Sequence, residues 1–247
     1  MKKIVVEGHR GYCARYPENT LLSFAKALEL GVDAIEFDVW LTADKVPVLI
    51  HDGNCLRTCG VDVHVRDLTL AEVKRLCACY ESKFGDQFKN LSDPTVKIPT
   101  LEELLQLCRE KRPDILLGVE IKEYTEETVD VTAALLNQYG VFDRCYFYAF
   151  DAPTIKYLYQ KYDGRTMGYP DFQMRRFEAD SYQYYKEIGL NMGIVKSEIL
   201  PIYQSKGLPM HMYCADTEED VRLCMEQGAD LITANDPVPL LKVLGRG

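Results

Sequence analysis

The segment Asp33-Ala-Ile-Glu36-Phe-Asp38-Val-Trp40 is apolar except for its acidic residues. Its apolar positions predict a strand over 34–40, and because side chains alternate along a strand, Glu36 and Asp38 lie on the same face. A parallel strand is covered on both sides, and burying two carboxylates there costs several kcal/mol unless a cation lies beside them. The segment therefore predicts a buried strand of a parallel sheet with a charged site on one face.

Further apolar runs alternate with helical patterns along the chain, which is typical of parallel strands joined by crossover helices. The predicted strands are 4–9, 34–40, 47–51, 115–121, 145–150, 166–169, 191–195, 209–213 and 230–233. A parallel crossover needs about a dozen residues, so the short connection from Thr42 to Val46 predicts that 47–51 returns as a hairpin. Eight strands remain, and the predicted fold class is α/β, a (β/α)8 TIM barrel of about 250 residues.

Residues 53–99 interrupt this alternation, with one short helix predicted over 69–77 and a polar stretch over 81–97. We expect a short inserted segment after the second barrel strand and its return strand, within one domain over 1–247. Long irregular insertions are typical of either an active-site lid or a mobile surface loop. The sequence leaves both interpretations open.

The composition excludes several classes of protein. The 29 Lys and Arg against 38 Asp and Glu give a net charge of −9, which argues against nucleic-acid binding. A phosphate site would need a local cation or a metal. No run approaches the ~20 apolar residues of a membrane span, and the N-terminal apolar run is too short for a signal peptide. The nine cysteines are an odd number without an export signal, which predicts reduced thiols and a cytoplasmic location. The composition favours no oligomeric state.

Four of these cysteines raise the question of a zinc site. Cys55 and Cys59, and Cys77 and Cys79, have spacings that match no common zinc pattern. We therefore disfavour a metal there.

Glu120 and Lys122 share one face of the predicted strand 115–121. They would either pair with each other or, with Glu36 and Asp38 as further carboxylates, form an oxygen-ligand metal site. Carboxylate ligands favour Mg²⁺, Ca²⁺ or Mn²⁺ over zinc.

Two of the four histidines, His9 and His51, end predicted strands beside the acidic strand. Histidine titrates near neutral pH, so this pair can act as general base and general acid. Arg10 offers a planar fork for phosphate oxygens and Lys122 a second positive charge. His64 and His211 are expected to be structural.

These residues belong to a longer series of motifs. In chain order they are His9-Arg10-Gly11, Pro17-Glu18-Asn19-Thr20, Glu36-x-Asp38, Thr42-x-Asp44, His51-Asp52, Ile98-Pro99-Thr100-Leu101-x-Glu103-Leu104-Leu105 and Glu120-x-Lys122. The series resembles the bacterial glycerophosphodiester phosphodiesterase family. The resemblance is dense over 8–122 and thinner afterwards.

The resemblance implies a TIM barrel that hydrolyses a small-molecule glycerophosphodiester to an alcohol and sn-glycerol 3-phosphate, a reaction of glycerol and lipid metabolism. It implies one divalent cation, Mg²⁺ or Ca²⁺ and alternatively Mn²⁺, on Glu36, Asp38 and Glu120. It assigns acid–base catalysis to a histidine pair and phosphate binding to two cations. The residues implied are His9 and His51 for catalysis, and Arg10 and Lys122 for phosphate.

Two segments depart from the family pattern. Relatives carry Trp-Thr-x-Asn where this chain has Tyr213-Cys-Ala-Asp216, and Thr-Asp-x-Pro where it has Thr233-Ala-Asn-Asp-Pro237. We expect neither departure to touch the catalytic set. Both would reshape the pocket for the glycerol or head group, for which Tyr213 and Phe150 are the candidates.

Alternative functions remain open at this level. The same barrel would suit a lysophospholipase D or a phospholipase C-like phosphodiesterase, or a barrel that binds phosphodiesters without cleaving them. A metal-dependent sugar isomerase is disfavoured, because residues 140–213 offer few ligands and Asp151 and Glu198 are expected to be exposed.

Overall fold

The barrel closes through β1, which pairs in parallel with both β2 and β9 in the computed structural model of the chain, where residues 3–246 are described. Within that range the sheet has nine strands. They are β1 (Val5–Gly8), β2 (Ala34–Leu41), β3 (Pro47–Leu49), β4 (Leu116–Ile121), β5 (Cys145–Tyr148), β6 (Thr166–Gly168), β7 (Glu187–Asn191), β8 (Met210–Tyr213) and β9 (Leu231–Ala234). All except β3 run parallel, which confirms the predicted eight-stranded barrel.

The extra strand β3 is the hairpin return that the short connection predicted. It pairs antiparallel with the end of β2, with Trp40 opposite Val48. The turn is held by Thr42, whose backbone N–H donates to the Val46 carbonyl at 3.0 Å. This return places the residue after the hairpin, His51, at the carboxyl end of β2.

Helices cover the outside of the barrel. They are α1 (Leu21–Leu30), α2 (Leu56–Cys59), α3 (Leu70–Val73), α4 (Glu81–Phe84), α5 (Leu101–Lys111), α6 (Glu126–Gln138), α7 (Ala152–Tyr162), α8 (Met192–Val195), α9 (Leu200–Gln204), α10 (Glu218–Glu226) and α11 (Pro237–Val243). Most long helices begin at a threonine or aspartate whose side chain accepts a hydrogen bond from a free backbone N–H of the first turn.

One strand prediction is wrong. Residues 191–195 were expected to form a strand, but β7 ends at Asn191 and residues 192–195 form α8. The Asn191 side chain accepts from the Ile194 N–H at 3.0 Å and begins the helix. The true strand was hidden because Glu187 and Gly189 interrupt its apolar pattern, although Ile188 and Leu190 alternate with them.

The main core lies between the strands and the outer helices. On β2, Ile35, Phe37 and Val39 are fully buried, and the Phe37 ring meets Phe24 of α1 edge-on at 6.4 Å between centroids. The alternate positions, Glu36 among them, therefore point into the barrel. Outward packing of one face of β2 thus fixes where its carboxylates lie.

Residues 53–99 form short helices and 3-10 turns, and the helix expected over 69–77 is only α3. The segment has its own buried apolar cluster, which includes Val65, Val73 and Ile98. Lys83 donates to the carbonyl of Cys13 at 2.7 Å, which joins the segment to the loop after β1. The inserted segment is therefore packed beside the carboxyl end of the barrel.

In the described part of the chain, no helix has both the length and the apolar character needed to cross a membrane.

We predict that Thr100→Ala lowers the free energy of unfolding by about 1 kcal/mol, because it removes the capping box that begins α5. The Thr100 hydroxyl accepts from the Glu103 N–H at 3.1 Å, and Glu103 accepts from the Thr100 N–H at 2.7 Å. Urea denaturation measures the change. Thr100→Ser keeps the hydroxyl and should match the wild type, and equal loss in both variants would contradict the capping role.

Candidate active site

Three buried carboxylates meet at the carboxyl end of the barrel. Glu36 and Asp38 lie on β2, and Glu120 lies opposite Asp38 in the β2–β4 register. Each is 5% exposed or less, and one carboxylate oxygen from each lies within 4.8 Å of the others. Among the described residues, this is the one group of three or more such side chains close enough to hold a metal ion.

Two cations lie against these carboxylates, as predicted. Lys122 Nζ is 2.8 Å from a Glu120 oxygen and 3.4 Å from Asp38 Oδ1. Arg10 Nε is 3.3 Å from Asp38 Oδ2, and the Arg10 backbone N–H donates to Glu36 Oε2 at 2.8 Å. The cations offset part of the repulsion between the three carboxylates.

The protonation equilibria reflect this arrangement. Burial, with the charge of Asp38, raises the pKa of Glu36 well above its usual range, and burial raises the pKa of Glu120 to about 7. Burial acts in the same direction on Asp38, but Arg10 and Lys122 outweigh it and hold the pKa of Asp38 below its usual range. If all three carboxylates were ionised, the cluster would carry one negative charge more than the two cations balance.

His9 follows β1 and faces the carboxylates. Its Nε2 atom is 3.8 Å from Glu36 Oε2, and its Nδ1 atom is 2.6 Å from Asn235 Oδ1. Burial, together with the neighbouring Arg10 charge, lowers the pKa of His9 to about 4. His9 is therefore neutral at physiological pH.

His51 approaches from the other side and is held by a chain of charges. Its Nδ1 atom donates to Asp52 at 2.6 Å, and Asp52 accepts from Arg57 Nε at 2.5 Å. Both terminal nitrogens of Arg57 donate to Glu18 at 2.8 Å, and Glu18 also accepts from Arg10 at 2.8 Å. Arg57 belongs to α2 of the inserted segment, so that segment fixes His51 and Arg10 together. Burial lowers the pKa of His51.

The two departures from the family pattern do touch the catalytic set, contrary to expectation. Asn235 contacts His9, and its amide donates to Asp216 at 2.6 Å. The two segments therefore bind each other behind His9. β9 pairs with both β1 and β8, so the residues that follow these three strands lie close together. Predicting each strand from its own sequence does not reveal this contact.

A cavity of about 210 Å³ opens in front of the carboxylates, and the candidates Phe150 and Tyr213 both line it. The Phe150 ring stacks on Tyr169 with 3.9 Å between centroids, and Tyr213 meets Tyr169 edge-on at 5.8 Å. The cavity is thus lined by both aromatic and charged side chains, and Lys122 Nζ lies 6.0 Å from the centre of the Phe150 ring. Cavity and cluster together give room for a small anion with an attached organic group.

Sequence reasoning missed two acidic side chains inside the barrel. Glu7 accepts from the Thr233 hydroxyl at 2.6 Å, and burial raises its pKa to about 8. Glu187 forms an ion pair with Arg165 and contacts His211, which also lines the cavity, so a purely structural role for His211 stays a prediction. The period-two pattern on β1 and β7 was the available signal. His64, by contrast, packs edge-on against Trp40 at 5.0 Å.

The expected exposure of Asp151 is wrong, while Glu198 is exposed as expected. Asp151 is fully buried, accepts from the Thr154 N–H to begin α7, and binds Arg176 at 2.7 Å. A strand-end aspartate followed by Ala-Pro-Thr was the capping signal. Because its oxygens serve the helix and an arginine, Asp151 adds no ligand to the cluster.

A model of the glycerophosphoryl diester phosphodiesterase family matches residues 9–238 of this chain. The chain belongs to this family. A glycerophosphodiester phosphodiesterase of Caldanaerobacter subterraneus subsp. tengcongensis is 30% identical over the full length of both proteins. The family and this relative make the chain a phosphoric diester hydrolase.

Solved structures of similar proteins share the barrel. A glycerophosphodiester phosphodiesterase from Thermotoga maritima has a TM-score of 0.73 and 23% identity, with 98% of this chain and 99% of that chain covered. An Oleispira antarctica phosphodiesterase, solved with the product sn-glycerol-3-phosphate, has a TM-score of 0.80 and 22% identity. That comparison covers 98% of this chain and 96% of that chain. Both establish the fold of this family member.

We predict that Arg57→Ala lowers the phosphodiesterase kcat by about 10–100-fold, because the loss frees Asp52 and leaves the buried Glu18 with Arg10 alone. Steady-state kinetics measures the effect. Arg75→Ala is the matched control, since Arg75 is exposed on the same inserted segment. Wild-type kcat in Arg57→Ala would contradict the proposed support of His51 and Arg10.

Proposed function

We propose that this protein hydrolyses glycerophosphodiesters to an alcohol and sn-glycerol 3-phosphate, with a divalent cation and two histidines. The observation that carries the proposal is the cluster of Glu36, Asp38 and Glu120 at the mouth of the barrel, within 4.8 Å of one another. Membership of the family supports the substrate class. The product complex of the Oleispira antarctica enzyme supports the product.

The carboxylate cluster fits a divalent cation. Glu36 Oε1 is buried and has no hydrogen-bond partner, which is costly for an ionised oxygen unless a cation lies beside it. Asp38 Oδ1 is also buried without a hydrogen bond, and the Lys122 ammonium lies 3.4 Å from it. All three ligands are oxygens, which favours Mg²⁺, Ca²⁺ or Mn²⁺. Bound there, the ion would neutralise the phosphate and lower the pKa of a coordinated hydroxyl.

Arg10 and Lys122 would bind the phosphate oxygens that face away from the carboxylates. Arg10 Nε is buried and makes no hydrogen bond but lies 3.3 Å from Asp38 Oδ2, so a phosphate oxygen would compete with that carboxylate for this donor. Burial opposes the charged form of Lys122, but Glu120 and Asp38 outweigh it and raise its pKa, which keeps the ammonium charged. Fixed positive charge at this position stabilises the charge that develops on the phosphate in the transition state.

His9 and His51 would move the protons. One removes the proton of the nucleophile, and the other gives a proton to the leaving alkoxide. The nucleophile is either water or the neighbouring glycerol hydroxyl, the latter through a cyclic phosphate. The two routes differ in whether a cyclic intermediate appears in a phosphorus-31 NMR time course.

Phe150 and Tyr213 would contact the organic part of the substrate, because they are aromatic side chains that line the cavity. An apolar rim would favour lysolipid substrates, and the inserted segment does carry the exposed Leu56 and Leu91. Lysophospholipase D activity is therefore retained as the second candidate. The cytoplasmic location stays a prediction.

We predict that glycerol 3-phosphate release from glycerophosphocholine stops after EDTA treatment and returns with Mg²⁺, Mn²⁺ or Ca²⁺. The carboxylate oxygens without partners are the physical reason. Glu36→Gln should also lose cation binding measured by calorimetry, whereas Glu102→Gln, on an exposed face of α5, should not. Full activity in EDTA would refute metal dependence, and choline release only from lysophosphatidylcholine, with lysophosphatidic acid as the other product, would favour the second candidate.

We predict that His9→Ala and His51→Ala each lower kcat by about 10²–10⁴-fold, because each removes a proton-transfer group. Initial rates on glycerophosphocholine measure the loss, with circular dichroism to check folding. His64→Ala is the control, since His64 packs against Trp40 and lines no part of the cavity. Near-wild-type turnover in either active-site variant would remove that histidine from the mechanism.

A further inference from the structure

A chain of hydrogen bonds lies behind His9. Asn235 Nδ2 donates to Asp216 Oδ2 at 2.6 Å, and the Asn235 backbone N–H donates to Asp216 Oδ1, also at 2.6 Å. The Asp236 N–H donates to the same Asp216 oxygen at 3.1 Å. Asp216 therefore binds both the side chain and the backbone of the segment after β9.

The hydrogen bonds to Asp216 fix the orientation of the Asn235 amide. A carboxylate accepts hydrogen bonds and donates none, so the amide NH₂ must face Asp216. The reversed orientation would set the Asn235 carbonyl oxygen against a carboxylate oxygen. The amide oxygen is thereby turned toward His9 Nδ1, 2.6 Å away, and it also accepts from Cys13 Sγ at 3.1 Å.

The amide orientation decides the tautomer of His9. An amide oxygen only accepts, so His9 Nδ1 carries the proton and donates it. In a neutral imidazole the other nitrogen then has a free lone pair. That nitrogen, Nε2, is the one that faces the carboxylate cluster, 3.8 Å from Glu36.

The side chain that supports His51 is charged, whereas the one that supports His9 is neutral. His51 Nδ1 donates to the carboxylate of Asp52, which Arg57 holds in place. A carboxylate partner stabilises an imidazolium, whereas the amide of Asn235 carries no charge to do so. The two histidines are thus supported for different protonation states.

We propose that Asn235, oriented by Asp216, is a positioning residue that holds His9 as the Nδ1–H tautomer with Nε2 ready to accept the proton of the nucleophile. The inference rests on the proposed function, in which His9 transfers a proton. In that step the O–H bond of the nucleophile breaks and an N–H bond forms at Nε2. The leaving alkoxide takes its proton from the other histidine, His51.

The tautomer is measured directly by long-range proton–nitrogen NMR of the full chain with ¹⁵N-labelled histidine, without substrate or metal. His9→Gln identifies the His9 signals by their disappearance. We expect Nδ1 of His9 to be protonated and Nε2 unprotonated in the wild type. Asn235→Leu, of similar size without the acceptor, should lose this fixed pattern.

Kinetics separates positioning from folding. Asn235→Leu should lower kcat by about 10–100-fold with KM changed less than about threefold. Cys13→Ala removes the other donor to the same amide oxygen and should leave the tautomer and kcat unchanged. Thermal denaturation of each variant identifies any that fails to fold.

Three results would overturn the inference. They are an unchanged His9 tautomer in Asn235→Leu, an Nε2–H tautomer in the wild type, and a wild-type kcat in Asn235→Leu. Failure of the proposed function would give a different result: His9→Ala would keep its activity, whichever tautomer of His9 the NMR measurement finds in the wild type. If Asn235→Leu does not fold, Asp216→Asn tests whether the carboxylate of Asp216 orients the Asn235 amide. We then expect a mixture of the two His9 tautomers.

Discussion

Three carboxylates buried side by side are the constraint on which the rest of this structure depends. Glu36, Asp38 and Glu120 repel one another inside a barrel, and only nearby positive charge makes the arrangement stable. Arg10 and Lys122 supply part of that charge from the chain itself. In the proposed function, a divalent cation would supply the rest of that charge. Stability and chemistry therefore share one set of residues.

The supports of this cluster come from opposite ends of the chain and differ in kind. On one side, Glu18 is gripped by Arg10 and Arg57, so a charged network ties the first loop to the inserted segment. On the other side, Asn235 supports His9 through a neutral amide that Asp216 orients. Through Arg57, the inserted segment is therefore part of the framework of the active site. Asp216 after β8 and Asn235 after β9 form the other part.

Much of the fold and of the cluster was predictable because it depends on local patterns. Alternation along β2 placed Glu36 and Asp38 on one face, and the brief Thr42–Val46 link predicted the hairpin. The strand predicted over 191–195 was wrong, because a charged residue interrupts the apolar pattern of the true strand, β7. Glu187 hid β7 because its carboxylate is paired with His211, from the neighbouring strand, and no local pattern reveals that partner.

The sequence by itself determined the barrel, the acidic cluster and the histidine pair, because apolar periodicity and strand-end polar residues are properties of neighbouring positions. Only the tertiary structure decided how the histidines are supported. His9 and Asn235 are 226 positions apart and meet because β1 pairs with β9, with Gly8 opposite Ala234. Hydrogen-bond partners so distant in sequence are set by barrel closure and strand register, and these exist only once the chain has folded.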